Sequence, residues 1–231
     1  LVGHQRLWRG LQMNWAAYEP EDFMRVFEYL HDNPAHLVDE QRLVQAYCEG
    51  ALARLRRADP TFAERVLLSF RTQGLRARQR LESVNAVQAQ YRRLVDELEQ
   101  WSDRDSSTGR VELDRQVASE KLLDCWREGL EQRLVAEAEP LPAGAAVLDL
   151  SGANLIDLPR VPANGFAHVR SLILEDIGVS LEGINAWLDQ FPQVETLSLA
   201  RNNLTEPPAV LLTHSSLRHL DLSHNWLVIN P

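Results

Sequence analysis

Four segments of the chain align on one pattern: Val147-Leu-Asp-Leu-Ser-Gly-Ala-Asn-Leu155, Ser171-Leu-Ile-Leu-Glu-Asp-Ile-Gly-Val179, Thr196-Leu-Ser-Leu-Ala-Arg-Asn-Asn-Leu204 and His219-Leu-Asp-Leu-Ser-His-Asn-Trp-Leu227. Their first leucines, Leu148, Leu172, Leu197 and Leu220, stand 24, 25 and 23 residues apart. Each unit has an apolar residue three positions earlier: Ala145, Val169, Val194 and Leu217. In Leu-x-Leu the two leucines fall on one side of a strand and the residue between them on the other. Stacked copies therefore predict a parallel sheet with Leu148/Leu150, Leu172/Leu174, Leu197/Leu199 and Leu220/Leu222 inside.

This period and the LxxLxLxxNxL consensus are the signature of leucine-rich repeats. The consensus asparagine, Asn202 and Asn225 here, can bond backbone where the chain leaves the strand. Ala153 and Ile177 replace it in the first two units, which predicts less regular turns there. The returns between strands differ. Ser180 caps a short helix with Leu181, Ile184, Trp187, Leu188 and Phe191 on one face. Pro207-Pro208 favours one tight turn before Val210, Leu211 and Leu212. Two prolines and a glycine predict an extended return from Pro159 to Ala167.

Residues 1–138 carry helical periodicity and almost no strand signal. Phe23, Val26, Phe27 and Leu30 form a stripe that Asp32-Asn33-Pro34 ends. Leu43, Tyr47, Leu52 and Leu55 form a second, ended by Asp59-Pro60. A third starts at Phe62, Val66 and Phe70, bends at Gly74, and runs on through Leu81, Val84, Val87, Tyr91, Leu94, Leu98 and Trp101. Ser102–Arg110 is polar throughout and reads as a loop. Leu122, Leu123, Trp126, Leu130 and Leu134 make the last helix. The expected organisation is multidomain: an all-α region of about four to five helices over 1–138, a junction at 139–144, and an α/β leucine-rich-repeat solenoid over 145–231. The solenoid's parallel sheet would line its concave face. Four units are present, the last without a polar capping unit, and the chain starts at Leu1, so it reads as part of something longer.

Composition excludes several classes. The net charge of −9 without a basic block argues against nucleic acid, which needs clustered Lys and Arg. No apolar run approaches the roughly 18 residues of a membrane span. Cys48 and Cys125 form no CxxC pair, which excludes a disulfide framework or a cysteine-rich zinc site. Lys121 is the only lysine against 23 arginines, a bias that fits a GC-rich genome.

Leu122-Leu-Asp-Cys-Trp-Arg127, LPAGAAVLDLSGANLIDLP, FPQVETLSLARNNL and SLRHLDLSHN resemble large bacterial effector- or toxin-like proteins. In these, a helical region precedes leucine-rich repeats and a C-terminal NEL domain, the novel E3 ubiquitin ligase of IpaH-type effectors. The resemblance spans about the last 110 residues and implies substrate recognition for a downstream ligase. It also implies secretion and action in a host cytoplasm; otherwise the chain is read as cytoplasmic. A scarcity of lysine would then spare a ligase from modifying itself. The NEL nucleophile sits in Cys-x-Asp, whereas Cys48 precedes Glu49-Gly50 and Cys125 precedes Trp126-Arg127. A catalytic cysteine would therefore lie beyond Pro231.

Residue chemistry gives this chain no enzyme of its own: there is no phosphate loop, HExxH, GxSxG or paired-carboxylate motif. Both cysteines read as buried and structural. His219 and His224, five apart across a strand and turn, lack the i, i+4 spacing of a helical zinc pair. No catalytic residue, metal or cofactor is expected. What remains is recognition of a protein partner, either a host substrate or the parent's own catalytic domain, the second making the repeats autoinhibitory. A purely structural helical and repeat scaffold is the other alternative. The candidate contact residues flank the inward leucines: Asp149, Ile173, Glu175, Ser198, His219 and Asp221, with Arg201 and His224 on the rim. Ile173 offers an apolar contact point, and the carboxylates favour a basic partner.

Overall fold

The structure is a computed structural model that describes residues 19–32, 40–104, 109–139, 141–142, 146–162, 164–209 and 214–228. Asn33-Pro34, residues 105–108 of the polar loop, Pro140, Ala145 and Val210–Leu212 lie outside the described residues, as does the side chain of Leu30. The chain divides into two compact units, Leu1–Ala89 with Arg133–Ala138, and Gln90–Gln132 with Glu139–Pro231. Among the described residues, no helix is long and apolar enough to cross a membrane.

The first unit is helical. Helix α1 (Pro20–Asp32) starts on proline, whose missing N–H costs nothing at a first turn, and follows it with Glu21 and Asp22. It buries Phe23 and Phe27. Phe23 stacks on Tyr47 of α2 (Glu40–Leu55), ring centroids 3.9 Å apart. The Tyr47 hydroxyl donates to Asn85 at 2.9 Å and accepts from Gln88 at 3.0 Å, so the buried phenol is satisfied. Helix α2 packs along α3 (Phe62–Thr72). Asp59 accepts from the Thr61 amide at 3.1 Å and from Arg65 at 2.8 Å, tying down the start of α3.

Gly74 ends α3 rather than bending it. Its φ of +68° lets its own N–H reach Arg71 and that of Leu75 reach Phe70, a Schellman closure that stops a helix. A new helix, α4 (Ala77–Ser102), carries the rest of the stripe. The final stripe likewise breaks at Gly129 into α5 (Gly109–Glu128) and α6 (Leu130–Leu134). The described residues before the sheet thus hold six helices where the stripes predict four to five.

Cys48 is fully buried in α2. Burial pushes its thiol up to about 12 against the opposing pull of Arg80. Below about pH 8.5 the thiol is protonated folded or unfolded, and its contribution to stability is complete. Above that the unfolded chain loses the proton first, so stability falls by up to about 1.4 kcal/mol per pH unit until the folded value is reached. Urea unfolding at pH 8 and pH 10 should show this slope, flatter in Cys48→Ala. A thiol reagent at pH 8 should reach Cys48 only in the unfolded chain.

In the second unit, β1 (Val147–Asp149), β2 (Ser171–Ile173), β3 (Thr196–Ser198) and β4 (His219–Asp221) form a parallel sheet in chain order. The register places Leu148, Leu172, Leu197 and Leu220 side by side, as the repeat alignment predicts. The first three are buried; Leu220 is 41% exposed. Helix α7 (Leu181–Leu188) starts where Ser180 accepts the Gly183 amide at 3.2 Å, and buries Ile184, Trp187 and Leu188. The first return is not extended throughout. It turns at Gly165, whose N–H reaches Pro162, and carries Phe166 and His168 inward.

The asparagines do what their position suggests. Asn202 accepts the Ile177 amide at 3.1 Å and donates to the Leu174 and Leu199 carbonyls. Asn225 accepts the Asn202 and Leu204 amides at 3.0 Å and donates to Leu199 and Leu222. The turns of the first two units follow the same path as the others at their pivot. Gly152, Asp176, Arg201 and His224 all occupy the equivalent position with φ between +51° and +73°. Neighbouring strands impose that pivot whichever residue fills it, against a left-handed penalty of roughly 1–2 kcal/mol for a bulky side chain.

Candidate functional site

Helix α5 packs against β1, and three polar ties fasten it to the first repeat. Lys121 Nζ donates to the Asp149 carbonyl at 2.8 Å, Asp114 accepts the Asn154 amide at 3.0 Å, and Arg115 reaches past Asn154 to the segment beyond. Arg115, only 3% exposed, donates to the carbonyls of Leu155, Trp101 and Arg104 and pairs with Asp157 at 2.8 Å. Its guanidinium also lies 5.5 Å from the Trp101 ring centroid, and the Trp101 indole donates to Asp157.

With one edge of the sheet fastened in this way, the other side chains of the strands line up in rows. Val147, Ser171, Thr196 and His219 form one; Asp149, Ile173, Ser198 and Asp221 form the next. At about 4.8 Å between strands, each row runs about 14 Å. Of the sequence candidates, Asp149, Arg201, His219, Asp221 and His224 are exposed, and Ile173 and Glu175 are half-buried. Ser198 is 8% exposed, and its hydroxyl donates to Glu175 at 2.6 Å. That bond holds the Glu175 carboxylate over the third strand.

Two carboxylates have a local duty as well. Asp149 accepts from the Ser151 amide at 2.9 Å and hydroxyl at 2.5 Å, and Asp221 from the Ser223 amide at 2.8 Å. These are Asx turns that lead the chain off the strand. Partial burial pushes the Asp149 carboxyl up, but the Ser151 hydroxyl and amide and the Lys121 charge outweigh it and leave the group below its ordinary value. The Ser223 amide, then its hydroxyl, hold Asp221 low against slight desolvation. Both stay anionic well below neutral pH.

A cleft of about 260 Å³ opens between α5 and β1, lined by Lys121, Asp124, Cys125, Glu128, Val147, Leu148 and Asp149. It shares Val147 and Asp149 with the rows above. At its wall, Cys125 Sγ lies 3.8 Å from Nε2 of His168, both residues 4% exposed. Nε2 also lies 2.8 Å from the Cys125 carbonyl. A carbonyl only accepts, so Nε2 carries the hydrogen and has no lone pair for the thiol proton. This arrangement is therefore not a base-activated nucleophile of the cysteine–histidine type. Cys125 and Glu128 stand i, i+3 on one helix, a spacing visible in the sequence; nothing there singles out His168, 43 residues on.

A family model for the leucine-rich repeat matches residues 216–231, the fourth of the aligned units. No curated protein matches the chain, and no solved structure does. The match and the parallel sheet support a leucine-rich-repeat protein, and such repeats point to protein partners.

Proposed function

We propose that the chain is a protein-recognition module whose outer sheet surface binds a basic polypeptide segment. The observation that carries this reading is the row register. Asp149 and Asp221 stand in one register row with Ile173 and Ser198, and the Glu175 carboxylate is held to that row by the Ser198 hydroxyl. An extended peptide laid across the strands meets a new pair of outward side chains about every 4.8 Å. Stacking of the four units as a curved solenoid, with this surface concave, belongs to the same reading.

Its finer form takes in the resemblance to IpaH-type proteins. There the module would select substrates for a NEL-type ligase, in a secreted effector acting in a host cytoplasm. The sequence motifs quoted for that resemblance are its support.

Arginine-rich and aspartate-rich synthetic peptides separate the outcomes in fluorescence anisotropy. The arginine-rich peptide should bind, and more weakly as salt rises. The variant Asp149→Asn/Glu175→Gln/Asp221→Asn keeps an acceptor oxygen at each site and removes the charge. It should slow association about tenfold while the circular dichroism stays unchanged. Equal binding of both peptides, or an unchanged rate in the variant, overturns the reading.

A further inference from the structure

We propose that Cys125, Glu128 and His168 form a binding site for a divalent transition metal of the zinc class. One ligand atom from each residue can be chosen so that all three lie within 4.8 Å of one another. A tetrahedral ion bound at about 2.3 Å to sulfur and 2.0 Å to nitrogen holds those two atoms about 3.5 Å apart. The Sγ to Nε2 separation is 3.8 Å, so this edge of the tetrahedron is nearly formed.

The chain builds the arrangement from both sides. Cys125 and Glu128, three apart on α5, share one face of the helix. His168 is pressed onto the end of that helix at Gly129, where a Cβ would come within 2.4 Å of Nδ1. Only glycine allows the imidazole so close, so the ring has little room to swing away. Two of the ligands, Cys125 and His168, are buried, and the third, Glu128, is exposed. The cleft beside them leaves a fourth position for water or for a donor from a bound molecule.

Thiolate, imidazole and carboxylate together suit zinc or cobalt and disfavour magnesium and calcium, which take all-oxygen sites. On binding, the Cys125 thiol gives up its proton to solvent. The imidazole shifts its hydrogen from Nε2 to Nδ1 and exchanges its bond to the Cys125 carbonyl for one to the metal. One proton is released per ion. The thiolate and carboxylate then neutralise the divalent charge.

The inference stands apart from the proposed peptide surface and is tested without it. The chelator-treated full chain, free of any histidine tag, is titrated with cobalt(II) and followed by absorbance. A thiolate-to-cobalt charge-transfer band saturating at about one equivalent, and bleached by zinc, is expected. Cys125→Ser should abolish the band. Glu128→Gln, which keeps the side chain's shape and removes its charge, should weaken cobalt binding at least tenfold while the circular dichroism stays unchanged. No band in the unaltered chain, a band that survives Cys125→Ser, or an unchanged affinity in Glu128→Gln overturns the site.

Discussion

Arg115→Ala is expected to destabilise the unit that holds the repeats by about 3–5 kcal/mol. The ion pair with Asp157 is the smaller part, because the Asp157 side chain is 41% exposed and solvent screens it. The larger part is the loss of the donor shared by the Leu155, Trp101 and Arg104 carbonyls, about 1 kcal/mol each. Lost cation–π contact with Trp101 adds about 1 kcal/mol. Between the two anchors of Arg115 on the first repeat sits Ile156, with φ +65° and the Asp157 amide bonded to the Leu155 carbonyl at 2.7 Å. A γ-turn centred on a β-branched residue is strained, and it persists because the guanidinium grips Leu155 on one side and Asp157 on the other. Arg115→Lys should recover little, since one ammonium cannot span four acceptors. Urea unfolding followed by tryptophan fluorescence measures the change. A loss under about 1 kcal/mol would mean that water replaces the guanidinium without strain.

Arg115 also marks where sequence reading stops. On α5 it looks like any arginine of a solvated helix face, and its partner Asp157 lies 42 residues away in what reads as a loop. Nothing local announces a buried cation. The strand register was legible because it is periodic: the leucines recur every 23 to 25 residues and the structure pairs them one to one. The left-handed pivot was not, because glycine, aspartate, arginine and histidine share no chemistry that betrays it. It comes from the ladder of strands, not from the residue. The helix breaks at Gly74 and Gly129 rest on different causes. Gly74 closes a helix by its own φ, a property its residue type suggests. Gly129 makes room for His168, which only the folded chain brings there. In the candidate surface, alternation along Leu-x-Leu picked out the outward positions. It could not show that Ser198 is spent on Glu175, or that Asp149 and Asp221 brace their own turns.

The same leucine in two strands should therefore carry very different weight. Leu172→Ala removes a fully buried side chain from β2, which has a strand on either side. Neighbouring strands limit collapse around the gap, so the cost should reach about 2–5 kcal/mol. Leu220→Ala is the identical change at the register-equivalent position of β4, yet Leu220 is 41% exposed. Its side chain has less surface to return to water and leaves no enclosed cavity, so about 1 kcal/mol or less is expected. Urea midpoints for the two variants decide the matter, with equal m-values as the check that the unfolded states match. Equal losses at the two positions would mean that Leu220 is as enclosed in solution as Leu172. A large loss at Leu172 alone would assign the stability of the sheet to its interior leucines.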